Sequence, residues 1–174
     1  MAGETLRFKL PAIRILENEH QYLSFLMADW HAIVLNIENN QYEEEEARKE
    51  FKRLRQLIVE FIEPFKSHTE KEEQFFFPLL GQYIGYEQGP ILSIEEEHRE
   101  IDAYIGHFLH HTLHGMDSLP IEKMKELVRD VGEAFETITV HFIKEETVLF
   151  PMAEKVMKAV DEDHLYEQLN TIII

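Results

Sequence analysis

Residues His141 to Pro151 read HFIKEETVLFP, and residues His68 to Pro78 read HTEKEEQFFFP. Both fit H-x3-E-E-x3-F-P. Four residue types recurring at fixed offsets over eleven positions mark an internal duplication rather than coincidence. On a helix, residues four apart lie one turn along and about 40° round the axis. His68 with Glu72, and His141 with Glu145, therefore each place an imidazole and a carboxylate on one side of a helix. A single H-x3-E is more often a surface pair than a ligand pair. The duplication reverses those odds.

The segments preceding each copy also match one another. LENEHQYL, from Leu16 to Leu23, and IEEEHREI, from Ile94 to Ile101, share an apolar residue, an acidic run, a histidine and a second apolar residue in one order. The repeating unit is thus a pair of helices. Gly81, Gly85, Gly89 and Pro90 form one loop cluster, and Gly115 and Pro120 another. Between them, apolar residues recur at spacings of three and four, as in Tyr22, Leu26, Trp30 and Ile33. The pattern predicts helices over about 16–38, 43–80, 90–114 and 121–158, and a short helix near 161–170. Little strict alternation of β-branched residues is present, so no sheet is expected. The expected fold is all-α, an antiparallel up-down-up-down four-helix bundle with a short C-terminal extra helix. One domain spans 1–174, with an N-terminal arm over 1–15, the bundle over about 16–158 and a tail over 159–174. Pro64 is expected to kink the second helix, and Pro78 and Pro151 to bend or end theirs.

The composition removes several function classes. With 17 basic against 34 acidic residues, the formal net charge is −17, which repels a phosphate backbone; no nucleic-acid partner is expected. There are no cysteines, so disulfides, thiolate ligands and cysteine nucleophiles are absent and any metal must be held by nitrogen and oxygen. The N-terminus lacks a signal-peptide pattern, and nowhere do about 18 uncharged apolar residues run together. A cytoplasmic protein without a membrane partner is expected.

Ten histidines stand out. Counted round its helix, His98 shares the apolar stripe of Ile91, Ile94, Ile101 and Ile105, and His20 lies near Met27 and Val34. Four inward histidines and two inward glutamates cannot readily satisfy one another without a cation. Six ligands, His20, His68, Glu72, His98, His141 and Glu145, exceed a tetrahedral zinc site and suit two metals. Iron is the expected metal, with manganese or zinc as other occupants. Asp102, one turn after His98, is either a further ligand, a group hydrogen-bonded to a ligand, or a solvated aspartate. Glu19 and Glu97 read as surface charges, and Glu73 and Glu146 as solvated or bonded between helices. His107, His110, His111 and His114 fall on the outer face. His31 and Asp130 are expected to meet toward the far end of the bundle. Phe75, Phe76, Phe77 and Phe150 read as core that also keeps the metals dry.

At these motifs the sequence resembles the hemerythrin-like family, also called the HHE cation-binding domain. The resemblance covers roughly residues 14–158 and implies a bundle around an oxo- or hydroxo-bridged non-haem di-iron centre held by those six residues. Oxygen-carrying hemerythrins have H-x3-H on the third helix, where this chain has Asp102. The four-histidine, two-glutamate pattern looks more like the di-iron domain of repair-of-iron-centres proteins, which carry an additional cysteine-containing domain. The function this implies is binding of O2, NO or a peroxide in sensing, storage or stress response. A di-iron peroxidase or oxidase, and an iron donor for damaged centres, are the alternatives. The apolar C-terminus NTIII either folds back on the bundle or makes a homodimer contact.

Overall fold

The structure, a computed structural model, describes residues 5–87 and 89–170. Helix α1 runs over Pro11–Glu38, five residues earlier than the periodicity predicts. Pro11 explains the early start, because a proline at the first helical position has its φ preset and loses no intrahelical bond. The free backbone donors there are met from the far end of the chain. Glu154 accepts from the Leu10 N–H at 2.6 Å, and Glu162 from that of Ala12 at 3.0 Å.

The second long helix comprises α2 (Glu44–Lys71), a π-helical turn over Glu72–Phe76, and α3 (Phe77–Ile84). The fourth repeats this plan as α5 (Ile121–Lys144), a π turn over Glu145–Leu149, and α6 (Phe150–Val156). Between them stands α4 (Pro90–His111), and α7 (Ala159–Leu169) follows. Pro78 and Pro151 do not end their helices. Pro78 has no N–H to give Gln74, and its ring crowds that carbonyl. The widened turn falls on the residues just before it, and the helix continues beyond. Pro64 sits inside α2, whose helical assignment is unbroken. The predicted third helix stops at His111 rather than 114, and Gly115 follows in the left-handed region at φ 80°.

Helix α1 packs on α2 and α5, α4 packs on α5, and α2 meets α4 along a looser seam. The antiparallel bundle expected from the sequence is the observed architecture, and α7 is its extra helix. The apolar core is divided in two. A larger cluster, including Leu23, Trp30, Phe51, Phe61, Ile101, Val131 and Ile138, fills one end. A smaller one, including Phe8, Ile13, Leu16, Phe76, Phe77, Ile94, Phe150 and Leu165, fills the other. Between them lies a layer of buried His20, His68, Glu72, His98, His141 and Glu145. The C-terminal tail assigned to a fold-back or dimer contact lies, over 171–174, outside the described residues. No helix among the described residues is long and apolar enough to cross a membrane.

Candidate metal centre

All six motif residues enter one layer, each at most 3% exposed. Four helices supply them: His20 from α1, His68 from α2, His98 from α4 and His141 from α5, with each glutamate opening a π turn. The imidazoles meet in pairs. The Nε2 atoms of His20 and His68 lie 3.1 Å apart, and those of His98 and His141 2.9 Å apart. Each glutamate spans the two pairs. Glu72 Oε1 is 3.2 Å from His68 Nε2 and 3.5 Å from His98 Nε2. Glu145 Oε1 is 2.8 Å from His141 Nε2 and 3.6 Å from His20 Nε2.

Two overlapping groups result, His20, His68, Glu72 and Glu145, and Glu72, His98, His141 and Glu145. Within each, one ligand atom per residue lies within 4.8 Å of the others. Both oxygens of Glu72 and both of Glu145 are buried without a hydrogen-bond partner. A buried carboxylate left in that state is costly, and a cation removes the cost. The donor set therefore fits metal ions, with nitrogen and oxygen ligands as the cysteine-free sequence requires.

The outward nitrogens carry a second regularity. His68 Nδ1 is 2.9 Å from Glu19, His98 Nδ1 2.9 Å from Glu73, and His141 Nδ1 3.0 Å from Glu97. His20 Nδ1 faces Glu146 at 3.6 Å, too long for a hydrogen bond. A carboxylate behind Nδ1 orients the ring and leaves Nε2 free to ligate. Glu19 and Glu97 are thus not surface charges. Each lies one residue before a histidine, 100° round the helix and on the flank facing the next helix, where it meets that helix's histidine. Lys71 and Lys144 in turn bond Glu19 and Glu97. Counting at 100° per residue turns Glu73 and Glu146 away from the layer. Glu73 instead takes the bond between helices, to His98, from a π turn in which Phe77 N–H bonds Glu72 O five residues back. The recurrence of a glutamate just before each of His20 and His98 was a sequence signal for these partners.

Charges follow the geometry. Burial alone would depress the His68 imidazolium, but Glu72 and Glu19 overcome it and push its pKa up to about 9. His98 is raised for the same reason by Glu72 and Glu73. Burial would raise Glu72, yet His68 and His98 hold it far below the ordinary carboxylate range. His20 and His141 are lowered, burial outweighing their nearby carboxylates.

The remaining expectations divide. Asp102 joins neither group. It is exposed on α4 beside Lys66 and Thr69 of α2, while its neighbour His98 is served by Glu73. His31 does not meet Asp130. Its ring stacks on Phe135 at 3.4 Å, and Asp130 instead bonds the outer-face His107. The aromatic wall is present: His20 is stacked on Phe142 at 4.0 Å and Phe150 at 5.3 Å, and His98 on Phe77 at 5.9 Å. Phe142, outside the expected aromatic wall, directly follows His141 and lies about 100° round the helix from it, where it meets His20 of α1.

The hemerythrin HHE cation-binding domain matches residues 12–153. The chain belongs to that family. Curated relatives include the iron-sulfur cluster repair protein YtfE of Escherichia coli O1:K1 and that of Escherichia fergusonii. Each is 30% identical over 105 residues, or 59% of this chain and 47% of the relative. The HHE chain therefore spans about half the length of the curated relatives it matches. No solved structure gives a significant match. As a cation-binding domain the family binds metal, and the buried His/Glu layer is where this member can hold it.

Proposed function

We propose that this HHE protein is a non-haem di-iron protein that binds O2, NO or a peroxide in sensing, storage or stress response. The observation that carries the reading is the pair of four-residue groups sharing Glu72 and Glu145. His20 and His68 would hold one ion, His98 and His141 the other, and both carboxylates would bridge. Each histidine pair brings its two Nε2 atoms to 3.1 or 2.9 Å, close enough for both to ligate one ion. Imidazole with carboxylate and no thiolate favours iron or manganese. Two irons so held would supply redox-active ions able to take up a small ligand.

The chain's own residues prepare that site. Glu19, Glu73 and Glu97 accept from Nδ1 and fix three imidazoles with Nε2 inward. Phe77, Phe142 and Phe150 lie against His98 and His20 and keep water from the layer.

Delivery of iron to damaged centres is the second reading, favoured by the likeness to proteins named for iron-sulfur cluster repair. His20, the one imidazole without a close Nδ1 partner, makes its ion the more weakly tied of the two. The peroxidase or oxidase alternative has less support, since Asp102, its proton donor, stands outside both groups. Anaerobic reconstitution with ferrous iron, followed by metal counting and absorption spectra before and after NO or O2, tests the proposal. Two irons per chain with a spectrum that responds to the ligand is the expected outcome. A chain that takes up zinc alone would overturn it.

A further inference from the structure

The looser seam between α2 and α4 contains a groove of about 330 Å³. From α2 it is lined by Ile62, Phe65, Lys66 and Thr69, and from α4 by Asp102, Ile105, Gly106 and Leu109. Its position relative to the metal layer follows from helical spacing. His98, Asp102 and Gly106 are each four residues apart, so they form one stripe along α4, and Thr69 directly follows His68 on α2. The groove thus lies along the face of α4 that carries His98, with Asp102 one turn from that histidine and Thr69 next in sequence to His68. These two imidazoles belong to different groups and are spanned by Glu72.

We infer that this α2–α4 groove is the route and holding site for a small uncharged ligand, a dissolved diatomic gas, on its way to the metal layer. The inference rests on the di-iron reading above. Four observations support it. The other neighbouring helix pairs, α1 with α2, α1 with α5 and α4 with α5, pack more closely. Ile62, Phe65, Ile105 and Leu109 give the groove a mostly apolar wall, which suits a gas. Lys66 and Asp102 line the groove with opposite charges, so it offers no net attraction to an ion of either sign. Finally, Gly106 interrupts an otherwise ordinary helix, and a Cβ built on it would meet nothing within 4 Å. Alanine or a larger residue other than proline would be better for the helix and would narrow the groove.

Gly106 suits the test, because a methyl group added there meets no neighbour within 4 Å and a larger side chain adds bulk at the groove wall. The full chain is prepared as wild type, Gly106→Ala and Gly106→Phe, loaded with iron and mixed with NO in a stopped-flow spectrometer. The same three proteins, stripped of metal and methyl-labelled, are titrated with xenon and followed by NMR. The expected result has three parts. Gly106→Ala melts at a higher temperature than wild type, and Gly106→Phe slows NO association at least tenfold with iron content unchanged. Xenon shifts the methyl signals of Ile62, Ile105 and Leu109 in wild type and not in Gly106→Phe. Unchanged NO association in a folded, iron-loaded Gly106→Phe protein overturns the inference, as does xenon that leaves the three methyl groups of wild type unmoved. Wild type that loads iron and takes up no NO would instead refute the proposed ligand binding, and the xenon titration still decides whether the groove admits a small apolar molecule.

Discussion

Removing the metal should convert the buried layer into a proton-binding site, and its stability should then fall as the pH is raised. The perturbation is a pH series on chelator-stripped protein. His68 has a folded pKa of about 9 against an ordinary 6.5. A group raised in the folded state contributes stability that is fully present below its unfolded pKa and lost as pH climbs through the folded one. At about 1.4 kcal/mol per pH unit, the loss between pH 6.5 and 9 is on the order of 3 kcal/mol. His98, also raised, adds a loss in the same direction. Glu72 is the other side of this interaction and is not counted again. Being depressed, it protects above the ordinary 4.5 and fails as the pH falls. His20 and His141 are lowered, so the unfolded chain takes up protons below 6.5 that the folded one does not, and stability drops there too. The maximum should lie close to pH 6.5. Urea unfolding followed by circular dichroism from pH 6.5 to 9.5 measures it. Glu72→Gln should flatten the alkaline limb, because it removes the largest cause of the His68 shift. The iron-loaded protein should show the opposite slope, since ligation displaces protons and strengthens with pH. A stripped wild type equally stable at pH 6.5 and 9.5, or a Glu72→Gln variant that falls as steeply, would refute the reasoning.

Three further outcomes are expected. His141→Ala removes the imidazole whose Nε2 lies 2.8 Å from the buried Glu145 Oε1; it should lose at least one bound metal by elemental analysis and about 3–5 kcal/mol by chemical unfolding. Glu97→Gln keeps the volume but withdraws the charge behind His141 Nδ1, and metal competition assays should show affinity weakened by roughly 10–100-fold. Gly132 of α5 has room for a methyl group, which would touch Glu38 Oε1 at 3.5 Å and Val34 Cγ1 at 3.7 Å. Gly132→Ala should therefore stabilise the protein by about 0.5–1 kcal/mol in urea without altering metal content.

The bundle and the six-residue layer were legible because both rest on regular α-helical spacing. His68 with Glu72 and His141 with Glu145 are four apart, and the apolar stripes beside His20 and His98 fixed which way those rings turn. What escaped the count depends on departures from that spacing or on neighbours across a helix pair. Glu73 and Glu146 were left between solvent and a bond across helices, and at the π turn Glu73 takes the bond, to His98 of α4. Glu19 and Glu97 lie at the flank of their stripe, where only the adjacent helix decides between solvent and a histidine. His31 and Asp130 were paired because the helical count turned both inward at what it took to be one depth. Phe135 and His107, however, offer them closer partners. The start of α1 at Pro11 was hidden because its caps come from Glu154 and Glu162, near the other end of the chain.

The two π turns give the repeated Phe-Pro a role other than closing a helix. Each proline withholds an N–H from the residue four before it, which leaves an α-helix incomplete at that point. An i→i+5 turn placed just upstream absorbs the break, and Phe77 and Phe150 donate to Glu72 and Glu145 across it. That turn begins on the glutamate proposed to bridge and carries the next glutamate toward a histidine of a neighbouring helix. Glu73 reaches His98 in this way, and Glu146 approaches His20. The residue following the turn in each copy is the phenylalanine stacked on that same histidine. One eleven-residue segment thus supplies an imidazole and a bridging carboxylate to its own side of the layer. It also supplies an aromatic cover to the opposite side and, in the first copy, the carboxylate that orients His98. Neither half can complete a site alone, which is the physical reason for the pattern to occur twice.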